Sequence, residues 1–145
     1  MSILTWRRTG TSLVHDRWHP NYENDPEFTL SMWQGYSRNE ADLEWRTYLL
    51  DGEEVARVCL NYDFSSHERR PSALLIEKLE VRRNRRGERL GLAVVSDVKD
   101  EHRSQEIYAG PTPSSWLWWE KNVGWPRCMC GDCGGQRHGF VVSRP

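Results

Sequence analysis

Apolar and polar positions change their spacing along this chain, and the changes mark out its elements. In the first half the pattern is that of sheet. Phe28 to Tyr36 predicts a short strand, polar "SRNEAD" follows, and "LEWRTYLLDGEEVARVCLNYDF" predicts two strands joined at Asp51-Gly52. Asp-Gly favours a two-residue type I′ turn, because both central residues there need positive φ. Before these, "HPNYENDPE" carries two prolines and several turn formers and predicts a loop. Thr11 to Trp18 is a candidate for an earlier strand.

The period changes after Ala73. "ALLIEKLEV" predicts a strand to Val81, because the polar turn "RRNRRG" ends it. From Glu88 the apolar positions Leu90, Ala93, Val94 and Val98 fall at helical spacing and predict a helix to about His102. "QEIYAG" predicts a short strand. "PTPSSWLWWEKNVG" predicts a second helix, with Thr112 as cap, Pro113 in the first turn and Gly124 at its end. "FVV" predicts a last strand. This order implies an α+β chain, with an α/β-like second half, built on one mixed sheet flanked by helices.

Length and charge narrow the picture. The 145 residues fit one domain over 1–145, with no internal repeat and no long linker. Eight tryptophans offset a hydrophobic share of 37% in filling a core. With 20 basic and 21 acidic residues, the chain is not expected to be a general polyanion binder. No apolar stretch nears the roughly 20 residues of a membrane-spanning helix, and the first ten residues lack a signal-peptide core. The expectation is a cytoplasmic protein with reduced thiols, Cys59 standing alone in a strand-like run.

Against that near-neutral balance, Arg82, Arg83, Arg85, Arg86 and Arg89 crowd one turn between a strand and a helix. Such a turn suits an anion, because unpaired N–H groups converge at a helix start where the macrodipole is positive. A solvated charged loop is the other reading.

"LEVRRNRRGERLGLAVV" and, further on, "WWEKNVGW" from Trp118 to Trp125 resemble the GNAT superfamily of N-acetyltransferases. The family signature is R/Q-x-x-G-x-G/A after a strand and before a helix, with Arg86 first and Gly91 last here; its fourth position carries Arg89 instead of Gly. The resemblance spans about Leu49 to Trp125, and the N-terminal part diverges, since the family carries two helices where this chain reads as loop and strand. It implies acetyl transfer from acetyl-CoA to a primary amine of a protein or small molecule. The pantetheine arm would lie along Leu79, Glu80 and Val81. The pyrophosphate would rest on the amides of Arg86, Gly87, Glu88, Arg89, Leu90 and Gly91, the β-carbon of Arg89 fitting if φ is negative there. Arg82, Arg83 and Arg85 would face the outer phosphates or the acceptor.

The chemistry needs a neutral amine, a held oxyanion and a protonated leaving thiolate. Glu77 and Glu80 are the nearest carboxylates, and a separation of three places them on opposite faces of a regular strand. Glu80 is preferred as the base, because Glu77 shares the face of Leu79 and Val81. Trp119 stands where the family often has Tyr, and indole is no acid, so Tyr108 is the substitute candidate. Trp116, Trp118, Trp119 and Trp125 are expected to pack.

"RCMCGDCGGQRHGF" places Cys128, Cys130, Cys133 and His138 as C-x-C-x2-C-x4-H. That set suits structural zinc in a knuckle at 128–138; a glycine-rich hairpin with reduced thiols is the alternative, and a redox C-x2-C pair a third. The remaining histidines, His15, His19, His67 and His102, are scattered and suggest no triad. Two further functions stay open: a non-catalytic GNAT-like binding protein that works by protein contact, and a small zinc-containing nucleic-acid binder, disfavoured by the net charge of −1. A homodimer is compatible with the sequence.

Overall fold

A computed structural model describes residues 3–35, 42–64, 73–110, 115–122 and 140–143. Its strands are β1 (Leu4–Arg8), β2 (Thr11–Val14), β3 (Arg17–Pro20), β4 (Leu43–Leu50), β5 (Glu53–Phe64), β6 (Ala73–Val81), β7 (Ile107–Ala109) and β8 (Phe140–Ser143), and its helices are α1 (Leu90–Glu101) and α2 (Trp116–Asn122). Six strands form one mixed sheet in the order β1-β4-β5-β6-β7-β8, antiparallel except where β7 runs parallel to β6. The architecture is α+β on a central mixed sheet. No helix among the described residues is long and apolar enough to cross a membrane.

The β4–β5 hairpin turns where the sequence predicts. Asp51 has φ 52° and Gly52 φ 82°, the left-handed pair a type I′ turn needs. The strand candidate at Thr11 to Trp18 is a second hairpin, β2–β3, turning through His15 (φ 49°) and Asp16 (φ 61°) and ending at Pro20. His19 and Pro20, expected in the loop, therefore belong to a strand, at an edge where proline costs no ladder bond.

Among the described residues 28–35, the strand expected from Phe28 is not formed. Leu30–Trp33 makes a turn of 3-10 helix instead. Its aromatics have partners across the sheet rather than beside it: Phe28 and Trp33 are buried in a cluster with Trp45 and Cys59. Tyr22 and Trp33 meet edge to face at 5.3 Å, and the Arg57 guanidinium lies between the Tyr22 and Phe28 rings at 4.5 and 4.1 Å. Side-chain burial on one face of the sheet therefore wins over the local β pattern. Burial also pushes the Cys59 thiol well above its ordinary pKa.

The opposite face carries the main core. Val58, Leu60, Leu74 and Ile76 pack against Leu90, Val94, Val95 and Val98 of α1. Two polar residues of β4 on this face reach the same helix: the Tyr48 hydroxyl donates to Asp97 at 2.8 Å, and the buried Arg46 pairs with Glu101 of α1 and with Glu44 of its own strand, each at 2.6 Å. Arg46 also lies 3.7 Å over the Trp6 ring of β1. Through Glu101 this buried cation links the sheet to the helix, and Glu44 and the Trp6 ring complete its surroundings.

Candidate functional site

The ladder between β5 and β6 is irregular at two places, between Asn61 and Phe64 and at Cys59, where Cys59 pairs with Lys78 while Leu60 pairs with Ile76. Glu77 is the extra residue of the bulge at Cys59, so side-chain alternation changes phase there. Leu74 and Ile76 face α1 before it, and Leu79 and Val81 pack against the same core after it. The expectation that Glu77 shares the face of Leu79 and Val81 is thus corrected. Its carboxylate lies 3.9 Å from the Cys59 sulfur, on the side of the Trp33 and Trp45 cluster.

Past the bulge β6 loses its neighbour. Its last pair with β7 is Ile76 with Ala109, and the Gly110 amide donates to the Ile76 carbonyl at 3.1 Å. From Glu77 to Val81 the edge of β6 turned away from β5 has no strand partner among the described residues. A cleft of about 560 Å³ crosses this open edge. Leu79, Val81, Leu90 and Gly91 line it, Trp118 and Trp119 of α2 form one wall, and Thr29, Met32 and Glu80 also border it.

The arginine turn borders the same cleft. Arg83–Arg85 is a short 3-10 turn, Gly87 has φ 88°, and α1 begins after Arg89. The Arg86 amide donates to the Arg83 carbonyl at 3.4 Å, so it is spent inside the turn. Among the described residues, no acceptor takes the amides of Gly87, Glu88, Arg89, Leu90, Gly91 or Leu92; the first bond of the helix is Ala93 to the Arg89 carbonyl. Six free N–H groups beside a cavity form an anion-accepting surface.

Arg89 departs from expectation. Its φ is 61° and its ψ 21°, so a non-glycine residue occupies the left-handed conformation that a glycine at the fourth signature position would adopt without cost. Gly91 is required for another reason, since a β-carbon there would stand 2.7 Å from Cζ2 of Trp118. Trp119 is buried in the core and Trp118 is partly buried against it, and both line the cleft, so neither is purely a packing residue.

The arginines largely bind the protein itself. Arg82 pairs with Asp25 at 2.6 Å, Arg85 with Glu53 at 2.9 Å and Glu88 at 2.8 Å, and Arg86 with Glu80 at 3.3 Å. Arg82 and Arg85 therefore do not stand free for phosphates. Arg83 donates to the Pro26 carbonyl and the Thr29 hydroxyl, and its backbone amide to the Glu27 carbonyl. The turn is thereby stapled to residues 25–29, of which 25–27 were expected in a loop and 28–29 at the start of a strand.

Glu80 is the inner end of this staple. It is 6% exposed, and its carboxylate accepts from the Thr29 amide (2.8 Å), the Thr29 hydroxyl (2.7 Å), the Trp33 indole (2.8 Å) and Arg86 (3.3 Å). It lines the cleft, whereas Glu77 and Tyr108 do not. Tyr108 is buried with Ala73, and its hydroxyl donates to Glu106. Cys128, Cys130, Cys133 and His138 lie outside the described residues; among those described, no group of three or more His, Cys, Asp or Glu side chains is placed to hold a metal. No protein-family model matches the chain, and no curated protein sequence matches it.

Proposed function

We propose that the chain is an acetyl-CoA-dependent N-acetyltransferase acting on a primary amine. The observation that carries this reading is the meeting, at one cleft, of the open β6 edge at Leu79–Val81 and the unbonded amides from Gly87 to Gly91. An open strand edge suits an amide-rich arm, which pairs with it as an added strand. A helix start with free N–H groups suits a diphosphate. The two features lie in the order that one long ligand carrying both groups requires.

The bound thioester supplies an activated acetyl group, and the chain's own residues hold and orient it. The main chain of Leu79, Glu80 and Val81 is the edge; Gly87, Glu88, Arg89, Leu90 and Gly91 offer the amides; Trp118 and Leu90 give the apolar walls. Transfer forms a C–N bond and breaks a C–S bond, and the proton lost by nitrogen balances the one taken up by sulfur. An amine would enter on the side of Thr29 and Met32, which also line the cleft. A reducing compartment such as the cytoplasm suits the buried free thiol of Cys59.

A second reading, a protein that holds acyl-CoA without transferring the acyl group, is favoured by one observation. Glu80 already accepts from four donors, and Tyr108 is turned to Glu106 away from the cleft, so neither stands free to move a proton. Calorimetric titration with acetyl-CoA, followed by thiol release with a panel of amines, tests both. Binding with turnover is expected. Binding without turnover selects the second reading, and no binding at millimolar acetyl-CoA rejects the two together.

A further inference from the structure

The open edge of β6 is not bare along its whole length. In an antiparallel ladder successive residues direct their N–H and C=O groups alternately toward and away from the neighbouring strand. The Arg82 amide donates to the Val55 carbonyl of β5 at 2.8 Å, so Val81 and Leu79 direct theirs away from β5, onto the edge that borders the cleft. Among the described residues the Leu79 groups and the Val81 amide have no partner there. The Val81 carbonyl has one: it accepts from Nε of Arg86 at 3.2 Å. Nη2 of the same guanidinium pairs with Glu80 at 3.3 Å.

Arg86 thus takes an acceptor that an amide-rich arm would need if it paired with this edge as an added strand. Its hold is releasable. The side chain is 54% exposed, and Glu80 keeps the Thr29 amide, the Thr29 hydroxyl and the Trp33 indole when the guanidinium leaves. Withdrawing the cation from a buried carboxylate is unfavourable unless another anion receives it. Gly87, the first of the free amides, follows Arg86 directly, so a diphosphate seated on that row is one residue away along the chain. A neutral arm by itself supplies no such charge.

Resting on the acyl-CoA reading, we propose that Arg86 restricts the cleft to thioester carriers that bring a diphosphate. In the free chain it occupies the Val81 carbonyl; the diphosphate draws it off, and the arm then pairs with the edge. A neutral pantetheine thioester has to displace it without compensation. The test titrates the full chain by calorimetry with acetyl-CoA and with S-acetylpantetheine, which has the same arm and thioester and no diphosphate. Arg86→Met and Arg86→Ala should bind S-acetylpantetheine about tenfold more tightly than the wild type, the size expected when one charge-assisted hydrogen bond need not be broken. Neither variant should gain affinity for acetyl-CoA, since each also loses a cation that the diphosphate would meet. Circular dichroism checks that the fold is kept. A second measurement needs no variant: inorganic diphosphate should tighten S-acetylpantetheine binding to the wild type, because the two ligands are coupled through Arg86.

Unchanged or weaker S-acetylpantetheine binding in the folded variants overturns the inference, as does absence of coupling to diphosphate in the wild type. An equal gain for acetyl-CoA and S-acetylpantetheine overturns it too, since Arg86 would then exclude both carriers alike. In each of these cases acetyl-CoA still binds and the acyl-CoA reading stands. Failure of acetyl-CoA to bind the wild type, read in its own titration, removes that reading and the inference with it.

Discussion

Trp118 lies across Gly91 so closely that a β-carbon at position 91 would stand 2.7 Å from its Cζ2. The indole cannot retreat freely, because it meets the buried Trp119 ring edge to face at 5.0 Å. Overpacking of this kind costs about 1–3 kcal/mol. Gly91→Ala is expected to lower stability by that amount in urea denaturation and to shift tryptophan emission as Trp118 moves toward the cleft. Unchanged stability and emission together would contradict the contact.

Arg89 holds a left-handed conformation at the first turn of α1. An L-residue there forfeits about 1–2 kcal/mol, part of which glycine recovers after its own larger unfolded-state entropy is counted. Arg89→Gly should therefore stabilise the chain, by on the order of 0.5–1 kcal/mol, while weakening acetyl-CoA through loss of a cation. Arg89→Ala should weaken the ligand equally and bring no comparable stabilisation. Equal urea midpoints for the two variants would argue against strain at this position.

Glu80 ties β6 to Thr29 and Trp33 through a buried carboxylate. Removing it strands the Trp33 indole N–H and the Thr29 amide, and hydrogen bonds to a charged acceptor contribute about 1.5–3 kcal/mol each. Glu80→Ala should cost on the order of 3 kcal/mol, and Glu80→Gln, which keeps one acceptor oxygen, clearly less. Unfolding curves followed by tryptophan fluorescence give both numbers. A neutral Glu80→Ala would show that residues 29–33 do not depend on this carboxylate.

The staple to the arginine turn should respond to pH through Asp25. The Glu27 amide at 2.9 Å and the Arg82 guanidinium hold its carboxyl below the usual carboxylate range. A folded-state pKa below the unfolded value of about 3.9 means that the contribution is complete above that value and fades as the pH falls through the folded one. Wild type should exceed Asp25→Asn in stability from about pH 5 to 7, and the difference should shrink below about pH 4. Urea midpoints of both proteins across that range check it; a constant difference would rule out Asp25 as the titrating group.

Elements whose cause is local were legible in the chain. Asp51-Gly52 announced its turn because the two residue types that tolerate positive φ are adjacent. The helix after Glu88 followed from the spacing of Leu90, Val94 and Val98, all of which are buried against the sheet. The 3-10 turn at Leu30–Trp33 was not legible, because Phe28 and Trp33 are drawn to Trp45, Cys59 and Glu80, and no short window contains those partners. The bulge at Glu77 was hidden for a related reason: an extra residue is recognised only against the strand it opposes.

The sequence by itself determined where chain direction changes and which residues carry charge, since turn chemistry and hydrophobic period act over a few neighbours. Only the tertiary structure decided what the arginines are for. Arg82 meets Asp25 across 57 positions of sequence, and Arg85 meets Glu53 across 32. Ion pairs form through space between side chains that folding alone brings together, so the same run of charge reads as a bare patch on paper and is mostly neutralised in the folded chain.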